Sequence, residues 1–124
     1  MDNSKDQRRS VGSQGELLAM EHLKTIGYEI IVSNWKCKTG EIDIIAQLDQ
    51  TLIVVEVRTR VTRGRFGTPQ ESVNYHKQNK VRSTAKVYIQ QHNKYDKSIR
   101  FDVIAIYLKA DGSLLELNHI VNAF

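Results

Sequence analysis

Apolar positions along the chain change their spacing several times, and the changes divide it into seven elements. Ala19, Leu23 and Ile26 recur at helical spacing, Ser13 and Glu16 stand as a capping box, and Gly27 supplies a stop, which predicts a first helix over 13–26. Tyr28 to Asn34 is rich in Ile and Val and predicts a strand. Glu41 to Leu48 alternates, Asp49-Gln50 follows, and Thr51 to Arg60 continues, so the pair predicts an antiparallel hairpin. Val61 to Thr68 carries Gly64 and Gly67 among arginines and predicts a mobile loop. Thr68-Pro69-Gln70-Glu71 offers an N-cap, a first-turn proline and a capping-box glutamate, opening a long helix to about Gln91. Arg100 to Leu108 is an apolar strand around Asp102, and Leu114 to Val121 after Asp111-Gly112 is the last strand. The order is αβββαββ. The third strand, second helix and fourth strand form a crossover, expected to be right-handed and to lay the helix on one face of a mixed sheet.

Length and charge narrow the picture. A chain of 124 residues suits one domain, read here as 13–124 behind a short disordered lead at 1–12. No apolar run approaches the roughly 18 residues a spanning helix needs, so the expectation is a cytoplasmic protein without a membrane partner. Cys37 stands alone, which excludes an internal disulfide and a zinc site of clustered Cys and His. The net charge of +4 hides an asymmetry: residues 58–100 hold eleven Lys or Arg against only Glu71 and Asp96, a local balance of +9. A patch of that density suits a polyanion, because each cation that meets a phosphate releases condensed counterions. The other reading is a solvated basic face that serves solubility.

Two acids stand where core residues are expected. Strand side chains alternate faces, so Glu41, Asp43 and Ile45 are expected on one side and Ile42, Ile44 and Ala46 on the other. On the next strand Val54, Glu56 and Arg58 share a face. A carboxylate in such a place is costly unless it is paired or binds a metal. Either reading is open here, since Arg58 is close enough in sequence to pair with Glu56 or Asp43.

Gly40-Glu41-Ile42-Asp43 followed by Val55-Glu56-Val57-Arg58 resembles the PD-(D/E)XK nuclease signature, with Arg58 where the pattern has lysine. The chain is further similar to the YraN-like bacterial family, through Gly15-Glu16, Gly27-Tyr28, Asn34, Phe101-Asp102 and the ending Ile120-Val121-Asn122-Ala123-Phe124. That family resembles archaeal Holliday-junction resolvases in fold. The resemblance implies an α/β restriction-endonuclease-like core, a mixed central sheet flanked by helices. It implies Mg2+ (or Mn2+) held by Asp43, Glu56 and the Val57 carbonyl, with phosphodiester hydrolysis as the chemistry. Arg58 would take the lysine's position, and a two-fold homodimer would follow from the symmetry of a four-way junction.

The remaining candidates carry two readings each. Glu16 is a capping-box residue, or it reaches the metal from the first helix, as in resolvase-like members. Lys77 lies between Val73 and Val81 and is a snorkelling lysine or a phosphate contact. Gln78 enters as a nucleic-acid contact because resolvase-like proteins place a Gln on this helix; Lys80 and Arg82 join it as nucleic-acid-binding residues of the basic helix. Arg60, Arg63 and Arg65 project from the glycine-containing segment as phosphate contacts. Asp102 reads as a hydrogen-bonded acid, the four histidines as solvent-facing or capping residues, and Trp35 and Tyr28 as core or hinge aromatics. The expected function is a metal-dependent endonuclease acting on structured DNA. The alternatives are a catalytically weak or inactive nucleic-acid-binding module of the same fold, and a protein-interaction scaffold.

Overall fold

The computed structural model describes residues 4–62 and 73–124. Helix α1 (Ser4–Thr25) precedes strands β1 (Glu29–Cys37), β2 (Gly40–Leu48) and β3 (Thr51–Val61); helix α2 (Tyr75–His92) precedes β4 (Ser98–Leu108) and β5 (Leu114–Ile120). The five strands lie side by side in chain order, with β3 and β4 parallel and the other neighbours antiparallel. Parallel neighbours cannot be joined by a hairpin, and α2 is the crossover that joins them. The result is an α/β restriction-endonuclease-like core, as the sequence predicts.

Each helix covers one face of the sheet. Ala19 and Leu23 of α1 pack on Ile44, Val55, Ile104 and Ile106, whereas Val81, Ala85 and Tyr88 of α2 pack on Ile45, Leu52 and Val54. β3 therefore alternates between two buried surfaces, which explains its nearly unbroken apolar run. Burying one such aliphatic side chain is worth about 1.5–3 kcal/mol. Gly15 sets how closely α1 approaches: a Cβ there would overlap Thr59 Oγ1 and lie 2.9 Å from Thr59 Cβ.

Both helix starts differ from expectation. α1 begins at Ser4, so residues expected in a disordered lead are helical, and Ser13 and Glu16 lie within the helix rather than capping it. Val11 packs against the α1-side core, which anchors the added turns. α2 begins at Tyr75 after Asn74, whose extended backbone (φ −68, ψ 163) and side chain, accepting from Lys77 N, form the cap. The expected loop beyond Thr62 and the expected start at Thr68-Pro69 lie outside the described residues, but a helix continuous from there is excluded by Asn74. Among the described residues no helix is long and apolar enough to cross a membrane.

Candidate metal centre and its basic cleft

The sheet opens where the two acids stand. β2 and β3 pair only from Leu48↔Thr51 to Ile44↔Val55. Beyond that point β1 stays on β2 as far as Cys37↔Gly40, and β4 stays on β3 as far as Val61↔Leu108. Each strand keeps its outer neighbour while the two separate from one another. A backbone donor facing such a gap needs another acceptor, and Val57 N donates to Asp43 Oδ2 at 2.8 Å. The N–H and C=O of a strand residue face the same neighbour, so the Val57 carbonyl opens toward the gap as well.

The parting of the strands also breaks the expected alternation. Ile42 packs with Ile45 in the α2-side core while Ile44 packs in the α1-side core, so Ile42 does not share a face with Ile44. Across β1 the same place is marked by Asn34, between the Ser33↔Ile44 and Trp35↔Ile42 pairs, with a left-handed backbone (φ 53) that asparagine tolerates. Its Nδ2 donates to Glu16 Oε2 at 2.9 Å.

Glu56 is 6% exposed, and its Oε1 is buried without a hydrogen-bond partner. Burial, the Asp43 charge and Glu41 push its carboxyl up to about 8 against the opposing pull of Lys77. Asp43 is raised to about 6, chiefly by burial, with the Val57 amide pulling down and Glu16 and Glu41 adding to the rise. Two carboxyls of which one obstructs the other's ionisation in a low-dielectric gap form one titrating unit. Two such acids and a carbonyl are hard oxygen donors and fit a Mg2+-type cation, whose charge would relieve their repulsion. Among the described residues no three His, Cys, Asp or Glu side chains come together as a ligand cluster. Glu16 thus stands beside the pair, held by Asn34.

Neither ion pair open to Arg58 in the sequence forms: its Nε is buried without a hydrogen-bond partner, and Glu56 Oε2 instead lies 3.6 Å from Lys77 Nζ. Lys77 heads a buried stripe of Val81, Thr84, Ala85 and Tyr88 on α2, so its stem crosses the sheet face and its ammonium meets the acid. Arg60 is exposed and donates to Thr59 O. Gln78 Nε2 donates to Val73 O and secures the segment ahead of the helix. Arg82 lies over the Phe124 and Phe101 rings, 5.3 and 5.9 Å from their centroids, so it is engaged within the fold. Arg63 and Arg65 lie outside the described residues. A cleft of about 520 Å³ runs between the β1–β2 turn and the first turns of α2, lined by Lys36, Glu41, His76, Lys77 and Lys80 among others.

A second polar cluster is only partly legible in the sequence. Asp102 is fully buried and accepts from Arg100 through Nε and Nη2, each at 2.9 Å, and from Asn122 N at 3.0 Å. His119 Nε2 lies 2.8 Å from the same carboxylate, and His22 Nε2 lies 3.1 Å from His119 Nδ1. Although burial opposes it, hydrogen bonds from His119, Arg100 and Asn122 hold Asp102 down at about 2. Asp102 is thus the hydrogen-bonded acid that the sequence predicts, but His22 and His119 are structural partners rather than solvent-facing residues. The available signal was Arg100 and Asp102, two residues apart on one strand face.

Residues 15–106 match the family described as Uncharacterised protein family UPF0102. The chain belongs to the UPF0102 family. It is 46% identical over 118 residues to a UPF0102 protein of Caldanaerobacter subterraneus subsp. tengcongensis, covering 94% of this chain and 96% of that one. A UPF0102 protein of Desulforamulus reducens is 44% identical over 119 residues (94% and 97%), and one of Clostridium perfringens 41% over 120 (97% and 98%). The span matched to UPF0102 takes in Glu16, Asp43, Glu56, Arg58, Lys77 and Asp102, whereas His119 lies beyond it.

Proposed function

We propose that this protein is a metal-dependent endonuclease acting on structured DNA, with Mg2+ or Mn2+ held by Asp43, Glu56 and the Val57 carbonyl. The observation that carries this reading is the buried Asp43–Glu56 pair at the parting of β2 and β3, with Glu56 Oε1 orphaned and both carboxyls raised. A pair compensated only in part, by the Val57 amide and Lys77, costs stability, and such costs concentrate at functional sites. When bound, the cation would neutralise charge on the scissile phosphate and acidify the attacking water. The chain's own groups would do the rest. Lys77 and Arg58 bring positive charge to the phosphate, and Arg60, with Arg63 and Arg65, holds the flanking backbone.

A second reading, nucleic-acid binding without cleavage, is favoured by the Lys77–Glu56 contact, which gives one acid a partner in the metal's absence. The test is cleavage of linear, flapped and four-way DNA with Mg2+ or Mn2+. Metal-dependent strand scission that disappears in Asp43→Ala supports the endonuclease; DNA binding without scission on every substrate supports the binding module.

A further inference from the structure

We propose that the cleft between the β1–β2 turn and the first turns of α2 is the seat of a nucleic-acid strand. One backbone phosphate would lie among Lys36, His76, Lys77 and Lys80, next to the phosphate presented to Asp43 and Glu56. This rests on the nuclease-type reading above and adds the path of the strand. The cleft holds about 520 Å³, several times what one phosphate group needs, and it is open rather than enclosed. Three ammonium groups and an imidazole line it against one carboxylate, Glu41.

That carboxylate does little to neutralise the cleft, because the Lys36–Glu41 contact is 3.8 Å long and both side chains are mostly exposed. Exposed pairs of this kind contribute little, so Lys36 re-pairs with a phosphate at little cost. Among the described residues Lys80 has no ion pair. The first turn of α2 carries no acidic residue, so the positive end of the helix reinforces the lysines.

The walls are held close by Gly40, where a Cβ would come within 2.9 Å of Thr84 Oγ1 and 3.4 Å of Lys80 Cε. Lys77 joins the two sites: it lines the cleft, and its Nζ lies 3.6 Å from Glu56 Oε2. A group seated here is therefore adjacent to whatever meets the acids. That continuity favours a strand, with phosphates in series, over an isolated phosphate.

The chain supplies its own reporter, since Cys37, its sole cysteine, is free and lines the same cleft. The experiment follows the rate of Cys37 alkylation by N-ethylmaleimide in the full chain, with Ca2+ in place of the active metal and an oligonucleotide duplex whose binding is read by anisotropy. At DNA ten times above its Kd, alkylation should slow by about tenfold. Duplex binding with an unchanged Cys37 rate would overturn the cleft as the strand's seat while leaving the nuclease-type reading intact. Absence of DNA binding would overturn both. Equal protection by inorganic phosphate at the same concentration would also overturn it, in favour of a free-phosphate site.

A second arm does not depend on the thiol. Lys36→Ala with Lys80→Ala should weaken duplex binding by at least about tenfold and reduce the salt slope by about 0.9, the share of the one phosphate that is no longer neutralised. Lys94→Ala, beyond the other end of a helix about 27 Å long, should change neither. An unaltered slope in the double variant would overturn the proposal.

Discussion

The Asp43 charge makes Glu56 harder to ionise, and the sign of that effect can be tested without a ligand. Both folded-state values are raised, so the folded protein holds more protons than the unfolded chain over the interval from ordinary carboxyl titration up to about 8. The associated stability is fully present below the unfolded values, near 4, and is lost as pH rises through about 6 and about 8. Metal-free stability, followed by urea unfolding, should therefore decline over that window, and Glu56→Gln should flatten the decline. Asp43→Asn keeps an oxygen that can accept from Val57 N, so its metal-free melting temperature should hold or rise while divalent binding weakens. A loss of several degrees would contradict the view that this carboxylate's charge is only partly compensated. Asp102 is the opposite case. Its depressed value contributes stability above the ordinary carboxyl range that is lost as pH falls toward 2. Asp102→Ala strands Arg100 and His119 and should cost about 3–5 kcal/mol in urea unfolding. A cost below about 1 kcal/mol would show that the network is not a buried ion cluster.

Elements were legible where periodicity and turn chemistry agreed, and illegible where tertiary contacts decided. The hairpin of β2 and β3 follows from alternation around Asp49-Gln50, and all five strands lie where apolar runs place them. The helix starts are misplaced by the sequence because a local capping signal such as that at Ser13 competes with other anchors. For α1 the anchor is Val11 on the sheet, and for α2 it is Asn74, whose side chain caps the first turn. Strict alternation assigns Ile42 to the wrong face because it assumes paired strands, and the parting of β2 from β3 is a pairing property that no single strand announces. Gly15 is where element packing and site assembly meet, since it seats α1 on Thr59 one residue from Glu16. Gly15→Val should cost about 1–3 kcal/mol through forced displacement of α1. Thr59→Ala in the same chain should recover part of that loss, and no recovery would locate the strain elsewhere.

At the scale of the whole molecule the two polar clusters divide the sheet between them. The Asp102 network ties α1, β4 and β5 together, while the Asp43–Glu56 pair opens toward α2 and the basic cleft. The two acids and the basic run were visible in the sequence because both break a pattern. The cation that meets Glu56 was not, since Arg58 is nearer along the chain and Lys77 reaches the acid only once the crossover lays α2 on the sheet. Arg58→Ala should accordingly leave divalent affinity within about twofold while weakening DNA binding, as expected of a phosphate contact. The central claim, that the buried pair is a metal site, is tested most directly by titrating Mn2+ into the wild-type chain, Asp43→Asn and Glu56→Gln by calorimetry at pH 8. One saturable ion per wild-type chain, absent from both variants and tightening from pH 6 to pH 8 as the pair gives up its protons, is the predicted result. Wild-type binding that both substitutions leave unchanged, or no binding at pH 8, would contradict it.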